Sequence, residues 1–215
     1  MEDYPVLYSF RRCPYAMRAR MALYKANIKC ELREVVLKDK PSAMLALSAK
    51  GTVPVLLTTD RQVIEQSNEV MHWALNQNDP DSWLQEDTAT SQYLIDYNDN
   101  EFKYFLDRYK YHVGYPEHPQ EYYRENAESF IVIIEQHLSK NNDIALLGNR
   151  ITLADISIFP FIRQFARVDY DWFQASPYKS VVQWLTQLEQ SDLFKHCMKK
   201  YVQWFPEHEP IYFPT

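Results

Sequence analysis

The chain has 215 residues and a net charge of −6, with 46% hydrophobic and 24% charged residues, an ordinary balance for one large or two small globular domains. An acidic chain repels phosphate backbones, and its basic group, Arg11, Arg12, Arg18 and Arg20, is too small for a duplex footprint, so no nucleic acid partner is expected. With glycine only at Gly51, Gly114 and Gly148, and six His that form no H-E-x-x-H, the dinucleotide loop, the Walker phosphate loop and a metal site are excluded.

The opening Met1-Glu2-Asp3-Tyr4-Pro5 has no basic region leading into an apolar stretch, so it does not read as a secretory signal. Apolar runs such as 130–134 are too short to span a bilayer, and no membrane partner is expected. The three cysteines, Cys13, Cys30 and Cys197, show no framework spacing. An unpaired set of this kind suits a reducing compartment, so the expected location is cytoplasmic.

In chain order, 6–10 is a short apolar run fit for a buried strand. Residues 14–27 follow as a helix with Pro14 in its first turn, then a β-rich stretch at 30–37 and a short helix at 42–49. Val53-Pro54-Val55-Leu56-Leu57 and Gln62-Val63-Ile64 flank a polar turn, as a hairpin should. A helix over 67–76, with Ser67 placed to cap it, closes the first part. The order is βαβ, a short helix, then ββα, and the assigned domain is 1–76. The polar, proline-containing stretch within 77–86 is the natural linker.

The second domain, 87–215, reads as all-helical. Tyr123, Ala127, Ile131, Ile134 and Leu138 recur at helical spacing. Thr152-Leu153-Ala154-Asp155 has the form of a capping box ahead of a segment that is apolar nearly all round, hence a buried central helix. Val181, Val182, Leu185 and Leu188 mark another helix, and the proline- and aromatic-rich tail from Trp204 is expected to lie extended. The fold class is therefore α/β joined to all-α.

The chemistry centres on Cys13, between a strand end and a helix start. The first amides of a helix are unpaired and carry partial positive charge, and Arg11, Arg12 and Arg18 are expected to add to it. Thiol pKa values at such sites fall to about 3.5–7.5, against about 8.5 for a free cysteine, which makes the sulfur a nucleophile at neutral pH. Cys30 and Cys197 read as buried structural residues. Ala16 stands where a dithiol oxidoreductase has its second cysteine, so an external thiol must complete the cycle, and glutathione is abundant in the cytosol. Val53-Pro54 reads either as an edge-strand proline or as a cis turn offering the Val53 backbone to an extended peptide. Gln66-Ser67 reads either as a plain cap or as a helix start that holds an amino-acid head group.

Taken in this order, Cys13-Pro14-Tyr15-Ala16 with Arg18 and Arg20, Val53-Pro54-Val55-Leu56, Gln66-Ser67 leading to Val70 and Trp73, and Thr152-Leu153-Ala154-Asp155 resemble the glutathione transferase superfamily over nearly the whole chain. The first motif is most similar to the omega class and other cysteine-type members. The resemblance implies a thioredoxin-like N-terminal domain joined to an all-helical C-terminal one, with glutathione as co-substrate. It implies a mixed disulfide between Cys13 and glutathione, with Tyr15 packed beside it. Val53 and Pro54 would then meet the cysteinyl part, Gln66 and Ser67 the γ-glutamyl end, and Leu37 and Lys40 the glycyl end.

Many members have Glu where this chain has Gln66, which keeps a hydrogen bond but loses a charge. Tyr8 and Ser9, residue types that serve as nucleophiles in other classes, read as structural here. The implied second substrate is a small electrophile or disulfide, in thiol transfer, dehydroascorbate reduction or deglutathionylation. A homodimer is implied by the resemblance alone. The alternative is a non-catalytic binding protein of the same fold.

Overall fold

The computed structural model describes residues 4–85 and 87–214. Residues 1–3, on which part of the N-terminal reading rests, residue 86 of the linker, and residue 215 lie outside the described residues. β1 (Val6–Ser9) and β2 (Cys30–Glu34) run parallel, Leu7 opposite Leu32. Parallel neighbours need a crossover, and α1 (Pro14–Lys25) supplies it. Pro14 opens that helix, where a missing N–H costs nothing, and Ala16, Met17, Ala19, Met21, Ala22 and Leu23 are buried along it. After α2 (Ser42–Leu47), β3 (Val55–Leu57) pairs antiparallel with both β1 and β4 (Val63–Ile64), and α3 (Ser67–Gln77) follows. This is the βαβ-α-ββα order expected of a thioredoxin-like domain.

The cap of α3 differs from the sequence reading. Gln66 is the extended residue before the helix, and Ser67 is the first helical residue, so Ser67 caps nothing. A buried arginine from α1 accounts for this, because Arg18 Nη1 donates to Ser67 Oγ at 3.4 Å and draws the hydroxyl inward.

Residues 82–190 form a helical unit of their own. It contains α4 (Thr88–Tyr97), α5 (Lys103–Lys110), α6 (Gln120–Lys140), α7 (Leu153–Ala166), α8 (Tyr170–Ala175) and α9 (Lys179–Gln190). A π-helical turn, Asn98–Phe102, joins α4 to α5 and has no signature in the sequence pattern. The buried stripe of α6 is the one expected, with Phe130 added. On α9, Trp184 is buried in place of the expected Val182.

The capping box of α7 is present, and its acid reaches further than a cap. Asp155 accepts from the Leu146 and Thr152 amides, the Thr152 hydroxyl and Trp184 Nε1, at 2.9 to 3.0 Å. Burial pushes its carboxyl up to about 6, with those donors pulling the other way. One carboxylate thus fixes the loop before α7, the start of α7 and the packing of α9.

The tail differs from the sequence-based division, which placed 87–215 in one helical domain. Residues 191–215 group with 1–81. α10 (Asp192–Cys197) packs on α1, and β5 (Tyr212–Phe213) pairs antiparallel with β2, giving the sheet order β4-β3-β1-β2-β5. The physical reason is the open edge of β2, whose unpaired amides need partners. The Leu32 amide donates to Ile211 O at 2.7 Å and the Trp204 amide to Glu34 O at 2.9 Å. Among the described residues no helix is long and apolar enough to cross a membrane.

Replacing Asp155 by Ala strands buried donors that belong to three segments. The expected loss is about 3 kcal/mol of unfolding free energy, read by urea titration. Phe213, 1% exposed, anchors β5. Phe213→Ala should cost roughly 3 kcal/mol in the same measurement, and a cost near zero would mean the tail is not held there in solution.

Candidate active site

Cys13 is the residue just before α1, with extended backbone (φ −78°, ψ 124°). Its amide closes a turn on Phe10 O at 3.0 Å, and its carbonyl receives the Met17 amide at 3.0 Å. The side chain is half-buried and rests on a cluster of Tyr8, Ala16, Val35, Met44, Val53 and Val55. Its thiol points at Val53 O, 3.7 Å away. The sulfur is therefore neither sealed in the core nor turned away from the loop that ends in Val53.

The Val53–Pro54 peptide is cis, the second of the two readings left open for it. Gly51 precedes it with φ 63°, a conformation glycine adopts freely. A Cβ at Gly51 would lie 3.3 Å from Leu45 Cδ2 and 3.5 Å from Lys40 Nζ. Lys40 thus lies over the Gly51 backbone, exposed at its surface. Leu37 is 45% exposed on the turn closed by the Asp39 amide and Val36 O.

Gln66 is exposed at the start of α3, where unpaired amides face outward. Ser48 donates to the neighbouring Glu65 carboxylate and ties that start to the end of α2. Ser67, 4% exposed, accepts from Arg18 and keeps its own proton to donate. Tyr15, half-buried, has the Arg18 guanidinium 5.5 Å from its ring centre. Tyr8 is buried, its hydroxyl bonded to Arg33 Nη1 at 2.5 Å, a structural placement.

Cys13 and Val53 are brought into contact, Lys40 lies over Gly51 in the same loop, and Gln66 and Ser67 mark the adjacent helix start. The expected cationic setting of Cys13 is altered. Arg18 and Arg20 are fully buried, Arg18 against Ser67 and Arg20 beside Glu34 at 3.5 Å. Arg11 Nη1 donates to Met198 O at 3.3 Å, and Arg12 lies 5.7 Å from the Phe10 ring centre. Cys13 itself makes no side-chain capping bond. No sequence signal marks Glu34, whose carboxylate accepts from the Arg11 amide at 2.7 Å. It follows β-rich residues and carries no motif, so only the fold reveals it.

Within the helical unit, Tyr104, Arg108 and Tyr115 lie together near an exposed surface. The Arg108 guanidinium stands 3.4 Å from the Tyr104 ring centre and 4.6 Å from that of Tyr115. Tyr104 and Tyr111 are 50% and 56% exposed, unlike core aromatics.

Residues 7–83 match the glutathione S-transferase N-terminal domain, and residues 83–187 match the C-terminal domain. The chain belongs to the glutathione S-transferase family. It is 38% identical over 61 residues to glutathione S-transferase omega-2 of Rattus norvegicus, a match covering 28% of this chain and 25% of the relative. The chain thus spans about a quarter of the length of that curated relative. Its fold matches glutathione transferase Omega 3C of Trametes versicolor at a TM-score of 0.74 and 19% identity, covering 94% of this chain and 92% of the other. It also matches a glutathione transferase family member from Pseudomonas fluorescens, solved with two glutathione bound, at a TM-score of 0.76 and 16% identity, covering 91% and 92%.

Burial pushes the Cys30 and Cys197 thiols up to about 12. Iodoacetamide at neutral pH should therefore alkylate Cys13 alone in the folded protein, and all three cysteines after denaturation. Peptide mass spectrometry reads this directly, and early labelling of Cys30 or Cys197 would contradict the packing described.

Proposed function

We propose that this protein is a cysteine-type glutathione transferase that exchanges thiols and disulfides through Cys13. The observation that carries the reading is the half-buried Cys13 sulfur at the head of α1, 3.7 Å from the Val53 carbonyl. Glutathione is the co-substrate. Its cysteinyl backbone pairs with Val53 beside Pro54, its γ-glutamyl end meets Gln66 and Ser67, and its glycyl carboxylate meets Lys40 near Leu37. Tyr15 flanks the sulfur. The family match and the glutathione-bound relative support the choice of ligand.

A protonated Cys13 donates to Val53 O. On losing its proton the sulfur becomes an acceptor only, and the first turn of α1 offers it the amides of Tyr15 and Ala16. Pro14 has no amide to offer.

In the first step the Cys13 thiolate attacks the glutathionyl sulfur of a mixed disulfide. The Cys13–glutathione bond forms, the old disulfide breaks, and the substrate leaves as a thiolate. A second glutathione thiolate then attacks the glutathionyl sulfur on Cys13. Glutathione disulfide departs and Cys13 returns as thiolate. The sum is one mixed disulfide and one glutathione thiolate converted to the substrate thiolate and glutathione disulfide, which is a deglutathionylation. Dehydroascorbate brings no glutathionyl group, so its two-electron reduction takes two glutathione thiols to one glutathione disulfide. A reducing cytoplasm suits a single-thiol cycle, and a homodimer is inferred from the family alone.

A second reading has an observation in its favour. Cys13 makes no capping bond, and Arg18 and Arg20 are buried away from solvent. A non-catalytic glutathione-binding protein would have this arrangement with an ordinary thiol. The rate of Cys13 alkylation against pH separates the two: the enzyme reading expects a midpoint at or below about 7.5. Cys13→Ala should abolish glutathione-coupled disulfide reduction. Incubation with glutathione disulfide should add one glutathionyl group to the wild type and none to the variant by intact mass. Full activity in Cys13→Ala would end the proposal.

A further inference from the structure

A buried charge pair lies beneath the turn that carries Cys13, and nothing in the thiol chemistry accounts for it. Glu34, at the end of β2, is 8% exposed, and Arg20, on α1, is 0% exposed. Their closest approach, Arg20 Nη2 to Glu34 Oε2, is 3.5 Å. Nε, Nη1 and Nη2 of Arg20 have no hydrogen-bond partner among the described residues, and neither has Glu34 Oε2. The rest of the Arg20 cage is aromatic, with the Tyr201 and Phe213 ring centres 5.5 and 5.7 Å from the guanidinium carbon. Cys30 and Cys197 complete the set of titratable groups that act on it.

An arginine kept only for packing would be cheaper as methionine, since a buried guanidinium without hydrogen bonds carries a large desolvation cost. Burial pushes both groups toward their neutral forms, and each opposes that shift in the other. What Arg20 does is hold an ionised carboxylate at Glu34. That carboxylate has one defined use, because its Oε1 accepts the Arg11 amide at 2.7 Å, the length of a charge-assisted bond. Arg11 lies inside the turn that the Cys13 amide closes on Phe10 O. The same turn is also held by Arg11 Nη1 on Met198 O and by the packing of Phe10 and Cys13 on the core cluster, but the Glu34 bond is the one that fixes a backbone amide inside it.

We infer that Glu34 is a positioning residue for Cys13, clamping the Phe10–Cys13 turn through the Arg11 amide, with buried Arg20 as the counter-charge that keeps the clamp ionised. Because Arg20 belongs to the helix that Cys13 heads, the pair sets the turn and the helix in one geometry. The place of Cys13 as the residue that heads α1 follows from that geometry. The inference deepens the thiol-transfer reading and rests on it for its kinetic arm.

The test compares Glu34→Leu, Glu34→Gln and the double variant Arg20→Met/Glu34→Leu. Glu34→Leu removes the acceptor, and Glu34→Gln keeps an acceptor oxygen of the same reach. Positioning predicts that Glu34→Leu lowers kcat for glutathione-coupled disulfide reduction roughly 10- to 100-fold with KM for glutathione little changed. The midpoint of Cys13 alkylation should rise by about half a pH unit or more as the sulfur leaves the helix amides. Glu34→Gln should recover most of both losses.

The double variant leaves no buried charge behind and should fold at least as stably as Glu34→Leu, yet keep its kinetic defect. A folded Glu34→Leu or double variant with wild-type kcat and alkylation profile overturns the clamp. In the wild type, amide exchange should show the Arg11 N–H strongly protected, and exchange at open-loop rates overturns the clamp without any variant. If the wild type shows no glutathione-coupled turnover while Glu34→Leu still moves the alkylation midpoint, the thiol-transfer reading fails and the clamp stands.

Discussion

The parallel pairing of β1 with β2 is the constraint on which the first unit depends. Parallel strands end at the same edge of a sheet, so Ser9 and Glu34, partners in register, finish side by side. The chain leaving β1 must then turn at once into the crossover helix. Cys13 is the last residue of that turn and Pro14 the first of the helix. Ligands of α/β sheets commonly gather outside the carboxyl ends of parallel strands, where helix amides point out and no side chain has to be displaced. A nucleophile at Cys13 takes that position as a consequence of topology. The antiparallel strand β3 then enters beside β1 from the opposite direction, which places Val53, just before it, next to the same strand end.

The tail solves a separate problem set by the same sheet. β2 would otherwise expose its outer edge, and the irregular strap after α10 together with β5 covers it. The strap is aromatic because it also has to cover a cation. Tyr201 and Phe213 close over Arg20, and Trp204 stands 4.3 Å from the Arg33 guanidinium carbon. Composition alone registers this as an unusual share of tyrosine and phenylalanine. Only the contacts show where it is spent.

Much of the first unit was legible because its elements carry local signatures: a proline at a helix start, a hairpin around a polar turn, a short apolar run for a buried strand. The α7 capping box was legible for the same reason, as Thr152 and Asp155 are three residues apart and need no partner elsewhere. The pairing of the tail was not, since β5 joins a strand more than 180 residues earlier, Cys30 opposite Phe213, and two residues of strand have no periodicity to read. The start of α3 at Ser67 is the expected one, but its cap position falls on Gln66, and the pull of Arg18 on the Ser67 hydroxyl is a tertiary contact with no local signature. The Glu34 carboxylate was invisible in sequence for the same reason: its partners are an amide and a guanidinium from two other segments.

The arginines show how far a sequence argument about charge can carry. Four of them within ten residues of a cysteine suggest an electropositive pocket, and by count alone the suggestion is sound. A helix, however, sorts its residues by face. Arg18 and Arg20 lie on the buried side of α1, one reaching Ser67 and the other Glu34. Arg20 arrives with its own carboxylate, so its net field at a distance is small. Arg11 and Arg12 remain beside Cys13, Arg11 tied to Met198 O and Arg12 exposed, where salt screens its field. The head of the helix adds amides that act over a few ångströms and only on a sulfur held in register with them. A site that draws on such amide dipoles is sensitive to geometry as well as to salt. For such a site, the residues that fix the turn matter as much as the residue that reacts.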